Sequence, residues 1–136
     1  MTNNLKLTCL IDDDPIFLFG TQKLMELENF SESYVTYDNG EDAINSLKAI
    51  NEQKGLLPDV ILLDLNMPIM DGWQFLEELE RLSTPKKLTV YIVTSSVDPS
   101  DLERVTRYSA VKTYLVKPIT SEVLEQIKQE IIPTNL

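Results

Sequence analysis

Acidic residues stand directly after two short apolar runs of the chain. Leu7 to Ile11 leads into Asp12-Asp13-Asp14, and Val60 to Leu63 leads into Asp64. In an open parallel sheet the carboxyl ends of the strands line one crevice, so acids placed there are expected to meet. Carboxylate oxygens suit Mg²⁺, which usually takes one or two of them together with water and phosphate oxygens. The pattern therefore predicts an oxygen-lined cation site.

Two further apolar runs end on a hydroxyl and an ammonium group. Val90 to Val93 precedes Thr94, and Tyr114 to Val116 precedes Lys117. A carboxylate that attacks phosphorus forms an aspartyl phosphate, and the reaction then needs mainly positioning and charge neutralisation. Asp64 is the candidate nucleophile because an acid that follows an unbroken apolar run and faces the crevice needs a functional reason. Thr94 and Lys117 are the candidate ligands of the transferred group.

Each of these residues also has a purely structural interpretation. Asp14 before Pro15 is typical of a helix N-cap followed by a first-turn proline. Asp12 or Asp13 alone fits a solvated loop acid, and a lysine such as Lys117 is most often a surface solubiliser. The functional interpretation depends on the convergence of the whole set.

Strand-like runs alternate with amphipathic stretches of about 12–15 residues, which is the pattern of βα units and a parallel sheet. The runs that start at Val60 and Val90 are continuously apolar, as expected for central strands covered on both faces. Ser33 to Asp38 is more polar and suits a strand nearer the edge. With right-handed crossovers, the sequence predicts an α/β fold: a doubly wound five-stranded parallel sheet with five helices.

Helix starts are marked by side chains that can accept hydrogen bonds from the first turn. The candidate N-caps are Asp14, Asn39, Asp71, Asp98 and Thr120. Gly20 lies in the middle of the first predicted helix and costs about 1 kcal/mol relative to alanine. Close packing is one explanation for this glycine.

The composition excludes several classes of function. A net charge of −10 argues against nucleic-acid binding, and the absence of histidine removes His metal sites, His-based triads and a phosphohistidine carrier. The lone Cys9 excludes an internal disulfide. A flavin or dinucleotide site would want a glycine-rich loop after the first strand, where acids stand instead.

The chain of 136 residues is expected to form one domain over residues 1–136, with a core of about residues 5–132. The last predicted helix ends at Ile132-Pro133 near the end of the chain, so no output domain is expected. No signal-peptide core is visible, and no apolar run approaches the ~18 residues of a membrane span. A cytoplasmic protein without membrane contact is therefore expected.

Four motifs, taken in order, resemble the receiver domain of two-component response regulators, of the stand-alone chemotaxis type. They are Leu10-Ile11-Asp12-Asp13-Asp14-Pro15, Leu62-Leu63-Asp64-Leu65-Asn66-Met67-Pro68-Ile69-Met70-Asp71-Gly72, Val93-Thr94-Ser95 and Tyr114-Leu115-Val116-Lys117-Pro118. The resemblance covers essentially the whole chain. It implies a flavodoxin-like fold with the strand order 2-1-3-4-5.

The resemblance also implies a chemistry. Asp64 would accept a phosphoryl group from a histidine kinase or a histidine phosphotransfer protein. Asp13, Asp64 and the main-chain carbonyl of Asn66 would bind Mg²⁺ directly, and Asp12 would act through water. The chain would catalyse only its own phosphorylation and dephosphorylation. A phosphatase of the aspartyl phosphate type would instead carry a second Asp where Asn66 stands.

By the same resemblance, Thr94 and Lys117 would contact the phosphoryl group, and the Lys117–Pro118 peptide bond would be cis. Tyr114 would be the aromatic switch, although its type and position also fit a half-buried strand aromatic. The signal would leave through the fourth helix (98 to about 108), the fifth strand and the fifth helix (120–132). A monomer or a weak phosphorylation-dependent dimer is expected, with an unknown protein target. The alternatives are a pseudo-receiver that binds partners constitutively and a passive phosphorelay carrier.

Overall fold

The computed structural model describes residues 5–96 and 98–132, and within them strands and helices alternate strictly. The strands are β1 (Leu5–Ile11), β2 (Ser31–Tyr37), β3 (Val60–Asp64), β4 (Thr89–Thr94) and β5 (Val111–Val116). The helices are α1 (Pro15–Leu27), α2 (Gly40–Glu52), α3 (Gly72–Arg81), α4 (Pro99–Val105) and α5 (Ser121–Ile131). In the described part of the chain, no helix combines the length and the apolar character that a bilayer crossing requires.

All neighbouring strands pair in parallel, in the order β2-β1-β3-β4-β5. This order confirms the predicted doubly wound sheet. Ile11 pairs with Leu63, and Asp64 pairs with Val93, so β1, β3 and β4 end side by side. The residues that follow these strands therefore meet at one edge of the sheet, as the sequence pattern predicts.

The core has two layers, one on each face of the sheet. Helices α2, α3 and α4 cover one face, and α1 and α5 cover the other. Every residue of β3 is buried; Ile61 and Leu63 face the first layer, whereas Val60 and Leu62 face the second. This two-sided burial explains why the strand is apolar without alternation. It also fixes Asp64 at the end of a fully buried strand.

Each predicted N-cap is confirmed, because each side chain accepts a hydrogen bond from a backbone N–H of its first turn. The five caps are Asp14, Asn39, Asp71, Asp98 and Thr120. At α3 the contact is reciprocal: Asp71 accepts from the Gln74 amide at 2.9 Å, and the Gln74 side chain accepts from the Asp71 amide at 3.0 Å. Such a capping box satisfies two amide groups that lack partners inside the helix.

Several details differ from the sequence-based expectation. Strand β1 begins at Leu5 rather than Leu7, and β2 spans Ser31–Tyr37 rather than residues 33–38. Strand β5 begins at Val111 rather than Tyr114, and its extra residues include the exposed Lys112 and Thr113. Helix α4 ends at Val105 rather than near Tyr108, because the chain then continues in tight i to i+3 turns. The close-packing explanation for Gly20 is wrong, since a Cβ built on it meets nothing within 4 Å.

Candidate functional site

Three carboxylates converge where β1 and β3 end. One oxygen from each of Asp12, Asp13 and Asp64 lies within 4.8 Å of the other two. Asp12 is 1% exposed and Asp64 is 8% exposed, whereas Asp13 is open to solvent. The Asp12 side chain also accepts a hydrogen bond from the Asp14 amide at 2.9 Å, which holds it beside the start of α1. The oxygens suit a hard divalent cation that enters from the exposed side.

The position of Asp64 makes its charged form costly. Burial, and then the negative charge of Asp12, raise the pKa of Asp64 to about 6, although the Lys117 ammonium opposes this rise. The backbone amide of Asn66, two residues on, donates to the Asp64 carboxylate at 3.4 Å. A bound cation would favour the ionised carboxylate by offsetting the charge of its neighbours. The electrostatics of the cluster therefore match the predicted metal site.

Lys117 reaches this cluster from the end of β5. Its ammonium nitrogen lies 2.8 Å from a carboxylate oxygen of Asp12, and its side chain is 21% exposed. The Lys117–Pro118 peptide bond is cis, as expected. The same ammonium lies 4.4 Å from the centre of the Phe17 ring on α1. Phe17 was not among the sequence-predicted site residues, because the spacing of α1 residues does not show which of them faces a lysine 100 positions away.

Thr94 ends β4 at the same edge, but its hydroxyl is directed to its own loop. It donates to the Ser96 carbonyl at 2.8 Å and accepts from the Ser96 amide at 3.3 Å. Its backbone carbonyl accepts from the Lys117 amide at 2.8 Å. The structure therefore places Thr94 beside Lys117 through the backbone, while its hydroxyl bonds only to Ser96 among the described residues.

Tyr114 lies on β5 with its ring packed against the core layer under α2, α3 and α4. Its hydroxyl oxygen is buried and has no hydrogen-bond partner among the residues that the structure describes. Burial, and then the charges of Asp101 and Asp98, raise the pKa of the Tyr114 hydroxyl above its usual range. A buried polar group without a partner is costly, so this position of the Tyr114 hydroxyl carries a free-energy cost.

An aromatic contact joins α3 to α4 near this tyrosine. The Arg104 guanidinium lies 4.1 Å from the centre of the Trp73 ring, and the Trp73 and Tyr108 ring centres are 6.0 Å apart. Arg104 is exposed, whereas both rings are partly buried against the core. The residue pattern of the chain does not indicate this contact.

Backbone packing fixes the loop between β3 and α3. A Cβ on Gly72 would lie 2.7 Å from the Leu65 Cα and 2.8 Å from the Asp64 carbonyl oxygen. The Gly72 amide donates to the Leu65 carbonyl at 2.9 Å. The loop between these residues includes Asn66, the predicted carbonyl ligand, so its path depends on a glycine at position 72.

The profile of the response regulator receiver domain family matches residues 8–129. The chain therefore belongs to this family. It is 28% identical over 123 residues to the probable methanogenesis regulatory protein FilR2 of Methanothrix harundinacea, covering 90% of this chain and 78% of that protein. It is 26% identical to the two-component response regulator ORR1 of Oryza sativa subsp. indica, covering 88% of this chain but 52% of that protein. The chain thus spans only about half the length of this second relative.

Solved structures show the same fold. A two-component response regulator from Cytophaga hutchinsonii superposes with a TM-score of 0.86 at 27% identity, covering 96% of this chain and 99% of the other. The receiver domain of a sensor histidine kinase from Pseudomonas aeruginosa superposes with a TM-score of 0.76 at 19% identity, covering 95% and 98%. The latter structure holds a magnesium ion in its active-site cleft. Fold and family thus agree with the resemblance seen in the motifs.

Proposed function

We propose that this receiver domain is a phosphoacceptor switch of a two-component system and that Asp64 carries the phosphoryl group. The main support is the convergence of three carboxylates within 4.8 Å, with the Lys117 ammonium 2.8 Å from one of them. An Asp64 oxygen forms the new O–P bond as the N–P bond of a phosphohistidine breaks. The electron pair of that bond stays on the departing imidazole nitrogen.

Mg²⁺ is the proposed cofactor, held directly by Asp13, Asp64 and the Asn66 carbonyl, with Asp12 acting through water. The oxygen-only donor set supports this choice, and so does the magnesium ion in the related Pseudomonas aeruginosa domain. When bound, the cation neutralises charge on the phosphoryl oxygens. The residues of the chain hold the reacting carboxylate at the buried end of β3 and supply the second cation, Lys117.

Phosphorylation gives Lys117 and Thr94 new partners. The Lys117 ammonium, now beside Asp12, would turn to the phosphoryl oxygens, and the Thr94 hydroxyl would leave the Ser96 carbonyl to donate to them. Charge-assisted hydrogen bonds contribute roughly 1.5–3 kcal/mol each, enough for two or three to invert a minor population. The movement of the Thr94 loop then changes the space for Tyr114. The proposed output surface is the face formed by α4, β5 and α5.

The proposed phosphodonor is a histidine kinase or a histidine phosphotransfer protein, as the receiver family implies. The phosphohistidine would lie on that other protein, because this chain has no histidine. The target is a protein rather than nucleic acid or membrane, in keeping with the net charge of −10.

We assign no enzymatic activity beyond self-phosphorylation and dephosphorylation. The proposed location is the cytoplasm, and the proposed oligomeric state is a monomer or a weak phosphorylation-dependent dimer.

The test is phosphorylation by a small donor. With Mg²⁺ and acetyl phosphate, intact-mass spectrometry should show one added phosphoryl group on the native protein. Asp64→Asn and a chelator should each abolish the addition, whereas Asp14→Asn, which alters only the cap of α1, should retain it. Equal labelling of Asp64→Asn would contradict the assignment. Binding of a partner with the same affinity before and after labelling would favour the pseudo-receiver.

A further inference from the structure

Two protein groups, a carboxylate and an aromatic ring, lie next to the Lys117 ammonium. A carboxylate oxygen of Asp12 lies 2.8 Å away, and the centre of the Phe17 ring lies 4.4 Å away. The contact with Asp12 is an ion pair without an aligned hydrogen bond. Phe17 is half-buried and packs against the core layer under α1 and α5. Its backbone is fixed by the Asp14 cap and the proline at the start of α1.

The two neighbours act on the ammonium in different ways. An aromatic face attracts a cation within about 6 Å of its centre, more strongly where water is excluded. A ring has no lone pair that takes a lysine N–H in a directed bond, whereas an ammonium has three N–H groups to direct at oxygen acceptors. The ring thus restrains the position of the ammonium and leaves its N–H groups free for carboxylate or phosphoryl oxygens.

We infer that Phe17 is a positioning residue for Lys117. Its ring keeps the ammonium at the margin of the acidic cluster, where the Lys117 side chain is already largely shielded from solvent. Lys117 therefore changes partner from Asp12 to a phosphoryl group without a separate desolvation step. The role in phosphorylation rests on the proposed function. The contact between ring and ammonium does not, and it has its own measurable signature.

One variant that removes the Phe17 ring and one that keeps it separate the positioning of the ammonium from simple packing. Phe17→Leu keeps an apolar side chain without a ring, and Phe17→Tyr keeps the ring. Ring currents should displace the Lys117 Cε proton signals of the native protein. In Phe17→Leu these signals should move to ordinary lysine positions, and in Phe17→Tyr they should stay displaced. Phe19→Leu is the matched control, since Phe19 lies on the same helix, is 69% exposed and faces Lys23 instead.

Phosphorylation kinetics supply the second readout. At saturating Mg²⁺, Phe17→Leu should slow labelling by acetyl phosphate about three- to tenfold, as expected for a partly desolvated cation–ring contact. Phe17→Tyr should restore the native rate. The Mg²⁺ affinity by calorimetry should change less than about twofold, because an aromatic ring contributes no oxygen ligand to the metal. Should Phe17→Leu fail to fold, Phe17→Met serves as the ringless variant.

Native Lys117 signals and a native rate in the ringless variant would overturn the inference. It would equally be overturned if a folded Phe17→Tyr were as slow as Phe17→Leu. A native protein that acetyl phosphate does not label would instead contradict the proposed function. In that event the Lys117 proton signals alone would decide whether the ring positions the ammonium.

Discussion

The Lys117 amide donates a hydrogen bond to the Thr94 carbonyl at 2.8 Å, so the backbone joins the two residues proposed to bind the phosphoryl group. This bond follows the last β4–β5 pair, Thr94 with Val116. Their side chains nevertheless have separate partners, Ser96 for Thr94 and Asp12 for Lys117. We therefore expect activation to exchange side-chain partners around a backbone connection that stays in place.

Thr94→Ala should separate modification from signalling. Asp64 should still be labelled, because the hydroxyl supplies no metal ligand, but the response beyond the site should be lost. Addition of Mg²⁺ and beryllofluoride to the native protein should change amide exchange over residues 94–120, and these changes should be absent in Thr94→Ala. Thr94→Ser, which keeps the hydroxyl, is the control. Native changes restricted to Asp12, Asp13 and Asp64 would favour the passive carrier.

Asp13 and Lys117 should have separable effects on metal binding. Asp13→Ala removes a proposed direct ligand, so the Mg²⁺ affinity should fall by about tenfold or more, since loss of even an outer-shell partner costs that much. Lys117→Ala should not lower the affinity, because the ammonium beside Asp12 is a competing cation and not a metal ligand. Titration calorimetry of both variants tests the difference. An equal loss of Mg²⁺ would show that the two roles are assigned wrongly.

Mg²⁺ binding should weaken at low pH because protons compete for Asp64. With the pKa of Asp64 at about 6, only about a tenth of this carboxyl is ionised at pH 5, so the affinity there should be about tenfold below that at pH 7.5. Titration calorimetry at both pH values measures this change. Asp64→Asn should bind Mg²⁺ more weakly but with a flatter pH dependence, and an equally steep dependence in that variant would assign the titration to another group.

The same raised pKa of Asp64 predicts a pH-dependent cost to stability without metal. Between about pH 4 and pH 6 the folded state binds more protons at this site than the unfolded state, so the contribution of Asp64 to stability falls as the pH rises. Asp64→Asn should therefore raise the free energy of unfolding at pH 7 by on the order of 1–3 kcal/mol and change it little at pH 4. Urea unfolding in chelator tests this, and equal stabilisation at both pH values would contradict it.

Substitutions at two glycines should have opposite effects on the free energy of unfolding. Gly72→Ala places a methyl group 2.7 Å from the Leu65 Cα, so it should destabilise the fold by about 1–3 kcal/mol and slow the labelling of Asp64. At Gly20, in the middle of α1, an added Cβ has no neighbour within 4 Å. Gly20→Ala should therefore raise the free energy of unfolding by about 0.4–1 kcal/mol. Urea unfolding of both variants measures these changes. A stabilised Gly72→Ala would show that the loop between Asp64 and Gly72 readily adjusts.

Much of the fold could be predicted because local signals agree with the tertiary structure. Continuous apolar runs mark the central strands, and short polar side chains cap each helix. The start of β5 was missed because Lys112 and Thr113 are exposed on an edge strand, where a polar residue carries no packing penalty. Strand-end positions were enough to predict that Asp12, Asp13, Asp64 and Lys117 converge.

Side-chain orientation at the site could not be predicted in the same way. The hydroxyl of Thr94 bonds to Ser96 in its own loop, and residue spacing does not encode the direction of that hydroxyl. The Phe17 ring meets Lys117 only because α1 packs beside the end of β5. Such contacts depend on how elements pack in three dimensions.

The stack of Arg104 on Trp73 gives the protein a built-in optical probe. Trp73 is the sole tryptophan, so all indole emission arises from the junction of α3 with α4. Arg104 and Tyr108, which contact its ring, lie on α4 and in the turn that follows it. The emission is therefore expected to respond to a change in the position of α4. Stopped-flow fluorescence should therefore report a movement of α4 without any attached dye.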